Sequence, residues 1–213
     1  MPLYTTDALI LRTYKLAESD RIVVFQTRDR GKKRGVAKNA QRSRRRFGGA
    51  LEPLTCGRVG YLEREHRDLV TLHYVEAARS PLSAVDEAAL GYVGYFAELI
   101  DEWAQEADPN ETLFRLGASV VDAMAEGVAI EPLARYFEYW LLRLQGVYGT
   151  GARLSSGAQA FLRSAQQLSP VRIGRVPVSA RTLEELESVH RELIAMHLEK
   201  DLKSVRVLKE MRR

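Results

Sequence analysis

The chain of 213 residues holds a single cysteine, Cys56. That scarcity excludes an intrachain disulfide and any zinc site built from several thiolates. Among strand-forming neighbours a lone cysteine reads as a small buried apolar group. No run approaches the ~18 uninterrupted apolar residues of a membrane span. The opening MPLYTTDALILR lacks the basic start and long apolar stretch of a secretory signal. A soluble, cytoplasmic protein with no membrane partner is the expectation.

Chemistry-bearing motifs are equally sparse. The phosphate-cradling pattern G-x-x-x-x-G-K-[ST] is missing, and Gly146, Gly149 and Gly151 stand in the wrong order for a dinucleotide fingerprint. The four histidines are His66, His73, His190 and His197. His190 and His197 share one helix face, but no third ligand accompanies them, so a metal site is not expected. Ser155-Ser156 has no nucleophile-elbow flank. Nothing points to catalysis, a metal or a cofactor, and a non-enzymatic protein is expected.

Acidic residues are scarce in one place above all. Between Arg28 and Arg46, RDRGKKRGVAKNAQRSRRR carries ten basic residues and one acid, Asp29, a net charge of +9. The remaining 22 basic and 27 acidic residues leave the rest of the chain at −5. A mildly acidic body thus bears one dense cationic patch. Such a patch repels itself, and binding a polyanion relieves the repulsion. Phosphodiester backbone fits, because each neutralised phosphate releases condensed counterions.

Residues 1–79 read as strands. TDALILRT (Thr6–Thr13) and RIVVFQT (Arg21–Thr27) are short runs of β-formers divided by a polar break. Lys33–Lys38, Gly49–Glu63 and Asp68–Ala77 complete five candidates, with turns between them. Five short strands in under 80 residues predict a small closed barrel, of the oligonucleotide-binding (OB) or SH3-like kind; their periodicity is the same. From residue 80 onward the apolar period becomes helical. Ala89, Tyr92, Val93, Phe96, Leu99, Ile100 and Trp103 form one stripe, and Leu133, Phe137, Trp140, Leu141 and Leu144 another. Asp108 as N-cap, Pro109 and Glu111 predict a helix start between them, as do Thr182 and Glu185 further on. Residues 146–180, rich in glycine and proline, are expected to be loosely structured, with one short helix at Ser155–Gln167. The predicted class is α+β: a barrel at 1–79, then an all-helical domain at 80–213.

A hairpin over Arg21–Lys38 would lay Lys32, Lys33, Arg34 and Lys38 along one barrel edge. Arg42, Arg44, Arg45 and Arg46 would extend it through a loop. Tyr14 and Phe47 flank the patch as rings on which bases could stack. Barrel core is the competing reading for both rings. No helical base reader is present, so little sequence specificity is expected.

The order of these features resembles the RecO family of bacterial DNA-repair proteins over nearly the whole chain. Ala8–Thr55 carries the first part of the likeness, through Glu18, Asp20, Thr27, Gly31-Lys32, Ala37-Lys38, Arg42-Ser43 and Gly48-Gly49-Ala50-Leu51. RYFEYWLLRLQG (Arg135–Gly146) and LKSVRVL (Leu202–Leu208) carry the rest. The resemblance implies an OB-fold barrel followed by a helical domain. It implies a nucleoid-associated recombination mediator that binds single- and double-stranded DNA, anneals complementary strands and, with RecR, helps load RecA. RecF is a further partner in that picture. The helical domain would receive the acidic, hydrophobic C-terminal tail of single-stranded DNA-binding protein. Many relatives carry a four-cysteine zinc module after the helix matching Arg135–Gly146. This chain has no cysteine there, so no zinc module is expected.

Two rival readings use the same residues. An RNA-binding module of translation or ribosome assembly would employ the same patch. A protein-interaction adaptor would rely on the helices and meet an acidic partner through the patch.

Overall fold

The computed structural model describes residues 2–43, 45–64, 67–83, 87–148 and 154–211. Five strands come first: β1 (Leu3–Lys15), β2 (Arg21–Thr27), β3 (Lys32–Ala37), β4 (Cys56–Leu62) and β5 (Val70–Arg79). After a short 3₁₀ turn at Pro81–Ser83 come α1 (Glu87–Trp103), α2 (Glu111–Ala125), α3 (Ile130–Leu144) and α4 (Ser156–Gln167). The one-turn α5 (Pro170–Ile173), α6 (Ala180–Leu198) and α7 (Lys203–Met211) complete the chain.

The strands hydrogen-bond in the order β1-β2-β3-β5-β4, and β4 returns to pair with β1. The sheet is mixed. β3 and β5 run parallel and share Gly35–Val70, Val36–Thr71 and Ala37–Leu72 alone, whereas the other neighbours are antiparallel and longer.

The predicted class needs correction here. A self-contained OB barrel beside a separate helical domain is not what forms. In β1, Ala8 and Ile10 point into the sheet's own core with Val23, Phe25, Val59 and Tyr61. Leu9 and Leu11, on the opposite face, belong with Val24, Leu54 and Cys56 to the helical core of Phe96, Ile100, Leu113 and Phe137. A strand buried on both faces reads as a continuous apolar run, and ALIL and VVF are such runs. The helices therefore roof one outer face of the sheet. The division near Arg79–Pro81 marks a change of secondary structure, with a core that continues across it.

Other boundaries shift for local reasons. Residues 49–55 form turns, so β4 begins only at Cys56. The N-cap of α2 is Asn110, whose side chain accepts from Leu113 N–H at 2.9 Å. Ser179 caps α6 by accepting from Thr182 N–H at 3.2 Å. Glu185 instead reaches Ser155, the cap of α4.

The expectation of loose structure over 146–180 is overturned for residues 154–180. Ala158, Phe161, Leu162 and Ala165 recur at helical spacing and are buried in α4, and Ile173 of α5 is fully buried. Trp140 Nε1 donates to Ala165 O at 3.0 Å and fastens the segment to α3. The donor set does not fit zinc: Cys56 is buried on β4, far in sequence from this segment. Among the described residues no cluster of three His, Cys, Asp or Glu side chains is placed to hold a metal.

Candidate nucleic-acid interface

Register decides which cations face together, because residues directly opposed across a ladder share a face. Arg12, Val24 and Arg34 form one row. Tyr14, Ile22, Val36 and Thr71 form the next. Both rows lie on the sheet's outer face. Val24 is roofed by the helices, while Tyr14 and Arg34 remain exposed. Tyr14 therefore offers an accessible ring, with the Arg12 guanidinium 5.3 Å from its centre.

The basic residues predicted to form one edge separate into two sets. Lys32 is turned toward α1, where its Nζ donates to Asp101 O at 2.6 Å and lies 3.2 Å from Asp101 Oδ1. Asp101 is 2% exposed and also pairs with Arg12. Lys33 projects to the opposite face, beside Phe25 in register, and pairs with Glu63 Oε1 at 2.7 Å. Arg46 donates from Nε to Ser43 Oγ at 3.0 Å and from Nη2 to Lys38 O at 2.5 Å. These three cations hold the fold together. The edge itself is covered at the start of β3: Lys32 N–H donates to Gln105 O, and Ala107 N–H donates to Lys32 O. Gly31, at φ +68°, permits this approach, since a Cβ there would lie 2.3 Å from Asp108 N.

Arg34, Lys38 and Arg45 are exposed, with no side-chain partner among the described residues. Arg42 has only Glu18, 3.7 Å away with both side chains mostly in water, a contact of little strength. Arg44 lies outside the described residues. Phe47 is 2% exposed in the sheet's core, and the Arg46 guanidinium sits 4.9 Å from its ring centre. It is closed to stacking with bases. Its burial explains how the loop between β3 and β4 holds its shape: Ala40, Phe47 and Ala50 enter the sheet's core, and Leu54 enters the helical core.

The loop between β1 and β2 braces the cationic loop. Asp20 Oδ1 accepts from Asn39 N–H at 2.8 Å, and Ser19 O accepts from Gln41 N–H at 3.3 Å. Arg12 and Arg21, which sequence reasoning left out, belong to this surroundings. The signal for Arg12 was present in strand alternation, two residues from Tyr14 on the same face.

Among the described residues, Cys56 and His190 are buried, apart from the patch. Burial pushes the Cys56 thiol up, opposed by Arg79, which disfavours the reactive thiolate. His190 is fully buried against Glu138, with 2.9 Å between Nδ1 and Oε2. His66 falls outside the described residues. Among the described residues no helix is long and apolar enough to cross a membrane.

The comparisons with known proteins agree with one another. A family model described as recombination protein O N terminal matches residues 1–81, and one described as recombination protein O C terminal matches 85–149. A protein named DNA repair protein RecO from Koribacter versatilis is 44% identical over 142 residues, which span 66% of this chain and 58% of that relative. The chain thus covers less than two thirds of that relative's length. Proteins of the same name from Geobacter metallireducens and Pelotomaculum thermopropionicum are 31% and 30% identical. Those alignments cover 97% and 96% of this chain, and 97% and 93% of the relatives. With two family models of recombination protein O matched in order and relatives of 30% and 31% identity aligned over nearly their whole length, the chain belongs to the RecO family.

Proposed function

We propose that this chain is a non-enzymatic mediator of DNA repair and recombination that holds single- and double-stranded DNA on the outer face of β1–β3 and anneals complementary strands. The observation that carries this reading is the sorting of the cations. Lys32, Lys33 and Arg46 are tied into the fold, whereas Arg34, Lys38, Arg42 and Arg45 face water, Arg34 on the same sheet face as Tyr14. The tied cations could join only by breaking contacts of the fold. Charges kept exposed and close together attract phosphate, and an accessible ring adds sequence-tolerant stacking. Screening the repulsion between two strands speeds their pairing without nucleotide hydrolysis. No described feature resembles a base-reading helix in the patch, so binding is general with respect to sequence.

Partners follow family membership: RecR directly, with RecF and RecA engaged indirectly. The tail of single-stranded DNA-binding protein, acidic and hydrophobic, has a suitable surface on the helices. Between α6 and α7, Ala195, Leu202 and Val205 line a cavity of about 380 Å³ rimmed by Lys203, Arg206 and Lys209, with Asp201 beside them and Lys200 paired to Glu102. An apolar floor with a cationic rim complements such a tail.

Fluorescence anisotropy of a labelled 30-nucleotide strand tests the reading. Reversing Arg34, Lys38, Arg42 and Arg45 to Glu should abolish binding and annealing in a protein whose circular dichroism is unchanged. Unaltered annealing by that variant would refute the assignment. Tighter binding to structured RNA than to DNA would favour an RNA module instead.

A further inference from the structure

We infer that the bound strand places an unstacked nucleobase in a second recess, on the other side of the cationic loop. This deepens the preceding reading and rests on it. The recess has a volume of about 730 Å³ and lies between β1, β2 and the loop that joins β3 to β4. Thr13, Arg21, Gln41, Gly49, Glu52 and Pro53 line it. Its size falls within the roughly 300–1,000 Å³ of sites that enclose small ligands. The lining is mixed, as a base requires: apolar surface for the ring faces, polar groups for the edge.

Position argues for a base in particular. Gln41 immediately precedes Arg42, and the glycines at 48 and 49 follow Arg46-Phe47, so the opening is bordered by the segment that carries the free cations. A backbone held by Arg42 and Arg45 has its bases within reach of this opening. The walls are fixed before anything binds. Thr13 Oγ donates to Leu51 O at 2.7 Å, and Leu54 N–H donates to Ile10 O at 2.7 Å. With its amide oriented so that both ends are satisfied, Gln41 donates to Glu18 O at 2.9 Å and accepts from the Arg21 guanidinium. Glu52 is exposed and has no side-chain partner among the described residues. Its carboxylate can accept from exocyclic amines, and the remaining Arg21 N–H groups can donate to ring oxygens and nitrogens. A base inside a duplex is stacked and paired, and cannot enter without extrusion. The recess therefore distinguishes single strands from duplexes, which the phosphate contacts alone do not.

The test compares an ordinary 12-nucleotide strand with a strand of equal length made of abasic sugar-phosphate. Wild-type protein should bind the ordinary strand about tenfold more tightly, the scale of one stacked base. Gly49→Trp fills the recess from its wall; a Cβ at Gly49 meets no atom within 4 Å, so the backbone tolerates the change. That variant should lower the ratio severalfold, to the part that stacking on Tyr14 retains, while abasic affinity and salt dependence stay the same. Glu52→Ala, at an exposed position, should reduce the ratio without touching the fold. Equal binding of both strands by wild type would overturn the base site and leave the phosphate reading standing. A ratio unchanged in both variants would also overturn it, since the bases would then be held elsewhere. Failure of wild type to bind either strand would overturn the phosphate reading itself.

Discussion

The ammonium of Lys32 lies 3.2 Å from Asp101 Oδ1 and donates to the backbone carbonyl of the same residue at 2.6 Å. A lysine in the densest cationic tract of the chain thus acts as a bolt between β3 and α1. Asp101 is nearly fully buried, and removing one partner of a buried pair leaves the other charge uncompensated. Asp101→Asn should destabilise the protein by about 3 kcal/mol, read as a lower urea midpoint. Lys32→Ala should show a similar loss of stability with little change in DNA affinity.

The sorting of cations sets the salt dependence of binding. Arg34, Lys38, Arg42 and Arg45 are available without breaking contacts of the fold, apart from the weak Arg42–Glu18 pair. Four neutralised phosphates on a single strand give a log–log slope of about −3. Each single substitution to Ala should reduce that slope by about 0.7. Lys33→Ala should leave it unchanged, because Lys33 is committed to Glu63.

Phe47 anchors the cationic loop from within. Phe47→Ala removes a fully buried ring and should cost about 3 kcal/mol or more. Hydrogen exchange of the backbone amides at 40–50 should accelerate more than exchange in the helices. Quenching of a fluorescent base by position 47 is not expected in the folded protein.

A second buried network joins three helices. Glu138 accepts from Tyr95 Oη at 2.8 Å and from Arg135 Nη2 at 2.8 Å, and faces His190 Nδ1 at 2.9 Å. Burial, with the nearby Glu138 charge, raises the Tyr95 hydroxyl well above its ordinary range, so it stays a donor at working pH. Glu138→Ala leaves the buried Arg135 with Glu187 alone, 3.4 Å away, and should destabilise by about 3 kcal/mol, measured by thermal or urea unfolding.

Acid should act at the junction of α4 and α6. The Glu185 carboxyl is held below its ordinary value, chiefly by the Ser155 hydroxyl and then by the Ser155 N–H. A lowered carboxylate contributes its stabilisation above the unfolded value near 4.3 and loses it as pH falls through the folded value. Carbon-detected NMR titration should therefore place Glu185 below free glutamate, and Ser155→Ala should move it upward.

Parts of this molecule were plain in the sequence and others were concealed for identifiable reasons. The apolar stripes of α1 and α3 and the five strands follow from period alone. The local charge of +9 singled out one tract, yet it could not distinguish Lys32 from Arg34. Lys32 and Arg34 share one face of β3, and their fates diverge because Asp101, 69 positions after Lys32, waits on α1 beside the first of them alone. The cap at Asn110 is masked by Asp108-Pro109, because Glu111 completes a capping-box spacing with Asp108 and none with Asn110. Phe47 looked equally suited to core and surface, and only the long-range closure of its loop settled the matter. The packing of α4 was obscured by flanking glycines and prolines, whose local signal is stronger than four modest apolar residues.

The last turn of α1 sends three consecutive residues in three directions: Asp101 to Arg12 and Lys32, Glu102 to Lys200, and Trp103 to a parallel stack on His197. One turn of helix is thereby shared by the beginning, middle and end of the chain. A cassette ending at Arg79 would leave Leu9, Leu11 and Val24 without their cover. The strand half is therefore poorly suited to transplantation. Changes at the exposed cations leave the fold intact, whereas the two halves must be inherited as a matched pair.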